Sequence, residues 1–303
     1  MEKNPFSLYD FMGYFFPGAF ALILIYFFIE HKIEIQNVGS LYADVADMFK
    51  FRNSEDNKNF TIEICFVFIV VSYIIGHFVA YLSSLTVEHF SKWLYGYPST
   101  FLLFSVAPNH YWNIDKDQDI SIIVKKYNWR IIIAIFLLPL SLGSIFLAKG
   151  LGLKHFFVKK LDSYLIENIK NTYKLLIRIK GLEGEITEEA DYHRVIYHYV
   201  YEYQKQHTVK LDNYVALYGF LRSITFIFNC VSLYFTYLWY DKPSKDLFFL
   251  CLISYLVTYI FFMSFIKFYR RFTLESFMCL ITDDRLMLNK EKVEEKLGKQ
   301  INK

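Results

Sequence analysis

Residues 131–148 read IIIAIFLLPLSLGSIFLA, an uncharged run from Ile131 to Ala148 near the middle of the chain. A membrane-crossing helix needs about 20 mostly apolar residues, because the hydrocarbon core is about 30 Å thick and a helix rises about 1.5 Å per residue. Ile131–Ala148 meets that at the short end. Trp129-Arg130 and Lys149 stand at its two ends as interfacial anchors. Pro139 is tolerated in such a helix when neighbours satisfy the carbonyl it frees. The rival readings are a buried core helix and a re-entrant hairpin folded at Pro139. The choice sets the side of the membrane on which the N-terminal half lies.

Four other apolar runs surround it: Gly13–Ile29, Phe60–Ser83, Leu217–Tyr240 and Leu247–Ile266. The last two are joined by Asp241–Asp246 (DKPSKD), too short for anything but an antiparallel hairpin. The expected fold is therefore all-α: a polytopic helical membrane protein with five spans and a helical cytoplasmic module. Its expected parts are 1–148 (helices 1–3 with their loops), 149–215 (a cytoplasmic stalk), 216–270 (the membrane hairpin) and 271–303 (a cytoplasmic tail).

Composition agrees. Of 303 residues 54% are hydrophobic and 20% aromatic, with a mean hydropathy of +0.24; soluble domains run at roughly 45–50% apolar. The net charge of +3 leaves no nucleic-acid footprint. Cys65, Cys230, Cys251 and Cys279 form no C-x-x-C pair, so neither a zinc site nor a disulfide framework is expected, and no cofactor. The first apolar run follows Glu2 and Asp10, lacks a basic lead and a small-residue cleavage site, and reads as a retained helix.

Between the spans, Leu41, Val45 and Phe49 suggest a short amphipathic helix in the 31–59 loop. The second span is expected to continue through Val87, Phe90 and Trp93 until Gly96-Tyr97-Pro98-Ser99 stops it. In the stalk, Leu161, Leu165, Ile169, Tyr173 and Leu176 or Ile177 follow a helical stripe ending at Gly181. A second helix is expected from about Thr187, running without a break into the fourth span. Its tyrosines (Tyr192, Tyr197, Tyr199, Tyr201, Tyr203) are spread round the axis, which suits packing on more than one side, including against another subunit. The tail is expected to end in a charged helix, Lys290–Lys299.

Lys and Arg favour cytoplasmic segments. Region 149–215 holds eleven of them and the tail from Lys267 nine, against two in the hairpin turn. Both large polar parts are thus expected on the cytoplasmic side of a bacterial inner membrane. The loops 31–59 and 84–130 carry four and five, which does not fix the N-terminus.

Candidate site residues follow from polarity out of place. His77 lies inside the second span, with Ser83 and Ser84 beyond it; an intramembrane ionisable group either lines a polar path or packs, neutral, against a neighbouring helix. Gly76 allows that close packing. Asn229 in the fourth span is read as an interhelical hydrogen bond before a substrate contact. Arg222 is expected to snorkel to lipid headgroups, with Lys267, Arg270 and Arg271 as further headgroup anchors. His193, His198 and His207 lie at spacings of five and nine, not the three or four that metal ligands on one helix face need, so no metal is expected. No H-E-x-x-H, P-loop, G-x-S-x-G or dinucleotide fingerprint is present.

Three local patterns carry a resemblance: Phe11, Gly13, Tyr14, Pro17 and Gly18 (F-x-G-Y-x-x-P-G), Gly76-His77 followed by Ser83-Ser84, and Gly96-Tyr97-Pro98-Ser99. Together with Tyr214–Arg222 (YVALYGFLR) they resemble a loose group of uncharacterised bacterial inner-membrane proteins. The resemblance implies no catalytic residue. Similar multi-span proteins are sometimes found beside bacterial defence genes, so the resemblance implies a role in anti-phage defence as an expectation.

Three functional expectations result. The first is a non-enzymatic, homo-oligomeric, channel-like effector in contact with membrane lipids. The second is a scaffold recruiting a cytoplasmic protein partner through the 187–210 helix. The third is a membrane-embedded enzyme acting on lipid or glycan, whose only seeds are His77, Glu63, Glu88 and His89.

Overall fold

The computed structural model describes residues 10–30, 62–105, 110–113, 119–182, 184–187 and 191–286. The amphipathic helix expected in 31–59 and the charged helix expected at 290–299 lie outside the described residues. All regular structure among the described residues is helical. Among the described residues, four helices are long and apolar enough to cross a membrane, or five if one bent pair counts as a single span.

The chain divides into two compact units. The first takes its described residues from 1–91, 114–153 and 216–265. It opens with a π-turn, Phe11–Phe15, that runs into α1 (Phe16–Glu30). Helix α2 (Ile62–Ser83) continues through a second π-turn, Ser84–Glu88, into α3 (His89–Tyr95). Then come α5 (Ile120–Phe136) and α6 (Leu138–Gly143), which extends as a π-turn to Gly150. Helices α9 (Lys205–Asp241) and α10 (Lys245–Ile281) form the expected hairpin. Large apolar side chains stay exposed on this unit, among them Phe66, Ile74, Phe78, Ile132, Ile135 and Ile253. Such a surface needs an apolar solvent or a partner.

Ile131–Ala148 is not one straight helix. It breaks at Leu137, and the two halves meet at 90°. Pro139 is the physical reason: it cannot donate to the carbonyl four residues back, and its ring disfavours helical backbone at the residue before it. Two side chains cover carbonyls freed at the break. Ser141 Oγ donates to the Ala134 carbonyl at 2.8 Å, and Asn229 Nδ2 donates to the Phe136 carbonyl at 3.1 Å.

The crossing of α1 and α2 rests on two glycines. A Cβ on Gly18 would stand 1.8 Å from the Ser72 carbonyl oxygen, and a Cβ on Gly76 would stand 1.8 Å from the Tyr14 carbonyl oxygen. Backbone meets backbone there. This accounts physically for two parts of the opening pattern and one of the second: Tyr14 supplies the oxygen, Gly18 the gap, and Gly76 its counterpart.

The second unit takes its described residues from 92–113, 154–215 and 266–286. Gly96, at φ +77°, ends α3 as the sequence led us to expect, and Pro98 opens a further short helix, α4 (Pro98–Leu103), that was not expected. Helix α7 (Ser163–Ile179) is capped by Asp162, whose Oδ1 accepts from the Leu165 N–H at 2.9 Å. It stops at Gly181, φ +68°, where the Leu182 N–H reaches back to the Ile177 carbonyl at 2.9 Å. The long helix expected from Thr187 is instead two: α8 (Tyr192–Tyr203) and α9, parted at Gln204. No Gly or Pro marks this break. It is a packing event: Tyr192, Ile196, Tyr199 and Val200 bury one face of α8, and the Gln204 side chain is itself buried.

Candidate functional site

In the first unit the polar groups converge on α9. Arg222, 13% exposed, ion-pairs with Glu88, 18% exposed, through Nη1 and Oε2. Its Nε donates to Ser83 Oγ at 3.2 Å and its Nη2 to the Ala80 carbonyl at 3.4 Å. Ser83 Oγ also donates to Ala80 at 2.9 Å and lies 3.5 Å from Ser223 Oγ. The guanidinium expected to reach headgroups thus has protein partners. The π-turn at Ser84–Glu88 shifts the register of the chain just where Glu88 must face Arg222.

His77 sits elsewhere. It is exposed, stacked on Tyr14 at 3.8 Å between ring centroids, with Tyr73 edge-on at 4.6 Å. Ser83 is fully buried. The structure therefore does not join His77 and Ser83 in one path: six residues along a helix turn about 240° away. Ser84 is half-buried, and its carbonyl accepts from His89 Nδ1 at 2.8 Å. Of the proposed enzyme seeds, Glu88 and His89 are thereby engaged with Arg222 and Ser84.

Asn229 is fully buried and makes the interhelical bond to Phe136 already described; its Oδ1 has no hydrogen-bond partner. Lower on the same hairpin, Ser232 Oγ lies 2.9 Å from Thr258 Oγ1, and Thr236 Oγ1 lies 3.0 Å from Tyr255 Oη. These short hydroxyl bridges fasten α9 to α10 where apolar surroundings give no other reward for close approach.

In the second unit, Lys267 Nζ lies over the rings of Phe157 and Phe268 at 5.9 and 5.7 Å. Arg271 is exposed, its guanidinium 5.9 Å from the Phe268 centroid, while Arg270 keeps a buried Nε without a partner. Tyr199 Oη donates to Asp283 at 2.6 Å, and burial together with that carboxylate pushes the phenol's pKa up. His193 packs edge-on against Phe272 and Phe277, its Nε2 buried without a partner. Burial lowers its pKa to about 4, with the Asp191 charge acting in the opposite direction.

One cluster had no signal in the sequence. His207, Glu275 and Cys279 each place a ligand atom within 4.8 Å of the others. Glu275 and Cys279 are one helical turn apart, but His207 is far away in the chain, so no local spacing could reveal it.

Comparison with protein-family models, curated proteins and solved structures gave no match. The fold and its polar groups define the class: a protein helical throughout its described residues, whose apolar helices are suited to a membrane, with the Arg222–Glu88 charged pair held among them.

Proposed function

We propose that the chain is a non-enzymatic integral inner-membrane protein that works as one subunit of a channel-like assembly. The observation that carries this reading is the Arg222–Glu88 pair. Charges among membrane helices are costly, and they persist where a pathway or a switch needs them. Two features support it. The bent α5–α6 pair has the form of a re-entrant or broken segment, which is tolerated at membrane depth where it is covered by protein or lines a cavity. His77 stands exposed beside Ile74 and Phe78, an imidazole on an otherwise apolar face, which a second copy of the chain would shield. Region 149–215 and the tail are assigned to the cytoplasmic side by their Lys and Arg.

The experiment is flux through purified protein in liposomes under applied potentials of both signs. A closed oligomer that passes ions, and loses or alters conductance in Glu88→Gln, supports the reading. An intact oligomer without conductance at either polarity refutes it. The defence role rests on the sequence resemblance, and phage plating on cells with and without the chain tests it.

A scaffold is the second reading. It is favoured by a surface cavity of about 460 Å³ lined by residues that include Leu176, Leu182, Arg194, Val195 and His198, an apolar floor with a charged rim on α7 and α8. A stoichiometric soluble protein that leaves with Val195→Glu would favour it over the pore.

A further inference from the structure

We propose that His207, Glu275 and Cys279 form a transition-metal site that takes zinc(II) and leaves a fourth coordination position open. The three ligand atoms come from two helices of one unit, α9 and α10, and lie within 4.8 Å of one another. His207 Nδ1 is already 3.9 Å from Glu275 Oε1. Cys279 and Glu275 share a face of α10, one turn apart. The thiol of Cys279 is buried, while His207 and Glu275 are half-buried, so an ion could enter past them.

The donor set decides the metal. One thiolate, one imidazole and one carboxylate suit zinc(II), whose bonds to such atoms are about 2.0–2.3 Å. Magnesium and calcium want oxygen alone. A tetrahedral ion at those lengths holds its ligand atoms about 3.5 Å apart, so the cluster must contract by roughly 1 Å. His207 and Glu275 are half-buried, so the contraction falls to their side chains and displaces the Lys210 contact on Glu275. Binding takes the proton from the Cys279 thiol and releases it to solvent. Three protein ligands leave a position for water or for a donor from another chain, the arrangement of reactive rather than purely structural zinc.

Lys210 is the counterweight. Its Nζ donates to Glu275 Oε1 at 2.7 Å, the same oxygen that lies 3.9 Å from His207 Nδ1, so the ammonium competes with a metal for that oxygen. The arrangement orients the carboxylate while lowering affinity, which makes Lys210 a diagnostic residue: its removal strengthens a metal site but weakens a simple ion pair.

The test uses the full chain, purified in detergent without chelators, with zinc(II) and cobalt(II) as probes. The expected result is one metal per chain and a thiolate-to-cobalt charge-transfer band. Cys279→Ser removes the band. His207→Ala and Glu275→Gln weaken zinc binding at least tenfold, and Lys210→Met tightens it, all with unchanged elution on size exclusion. If Cys279→Ser fails to fold, X-ray absorption on the zinc-loaded wild type decides, since one sulfur at about 2.3 Å is required. No bound metal, a band that survives Cys279→Ser, or a shell of nitrogen and oxygen alone overturns the proposal. Metal content and spectra are independent of ion flux, so this inference stands or falls apart from the channel reading.

Discussion

Gly76→Ala is the most informative single change in the first unit. The added Cβ would lie 1.8 Å from the Tyr14 carbonyl oxygen and 2.5 Å from the Tyr14 carbonyl carbon. Cβ atoms essentially never approach closer than 3.0 Å, so the backbones must part by at least 3.0 − 1.8 = 1.2 Å. No side chain can swing away to absorb this, because both contacts are backbone. A gap of 0.5–1 Å already forfeits about a quarter to a half of the dispersion energy at each contact, and forced overpacking of a core costs about 1–3 kcal/mol. The better helix propensity of Ala returns at most about 1 kcal/mol. We expect a net loss of about 2 kcal/mol, read as a lower midpoint of thermal unfolding in detergent. Gly18→Ala meets the Ser72 carbonyl at the same crossing and should cost a similar amount. The double variant should cost much less than the sum, because the first Cβ has already separated the helices. Gly150→Ala, with open space around it, is the matched control and should be neutral. A Gly76→Ala protein as stable as the control would refute the close crossing, and with it our account of the opening pattern.

Arg222→Ala strands a partly buried Glu88 carboxylate and should cost about 3–5 kcal/mol, whereas Arg222→Ala with Glu88→Ala should recover most of it; urea unfolding of the two variants beside the wild type checks this. Asn229→Leu removes the donor to the Phe136 carbonyl at the helix break and should cost about 1–3 kcal/mol, with faster proteolysis near Leu137 as the local readout. His193 has a folded pKa of about 4 against an ordinary value of 6.5, so the unfolded chain binds more protons between those pH values. Stability from this group is complete above pH 6.5 and falls as the pH drops toward 4, by about 3 kcal/mol in all. His193→Phe should flatten that part of the stability profile, and a slope unchanged by the substitution would show that other groups carry it.

Much of the fold was legible from composition and periodicity alone. Apolar runs of sufficient length must form helices in a membrane, because backbone polar groups have no other partners there. That reasoning placed α1, α2 and the α9–α10 hairpin, and Gly96 and Gly181 marked the ends of α3 and α7 because their backbones adopt positive φ. Gly76 was legible as a place of close approach, though not the carbonyl it meets. Tertiary structure decided the rest. Whether Ile131–Ala148 runs straight depended on Ser141 and Asn229 reaching the Ala134 and Phe136 carbonyls freed at the break. The break at Gln204 has no local signal, because burial of one face of α8 overrode good helical continuity. Arg222 looked like an anchor because its partner, Glu88, lies on another helix and is aimed by a π-turn that periodicity does not predict. His207 looked isolated for the same reason: Glu275 and Cys279 are its neighbours only in space. Local sequence carries propensity and polarity over a few turns of helix, whereas pairing of charges and ligands depends on which helices pack together, and that is settled by the whole chain at once.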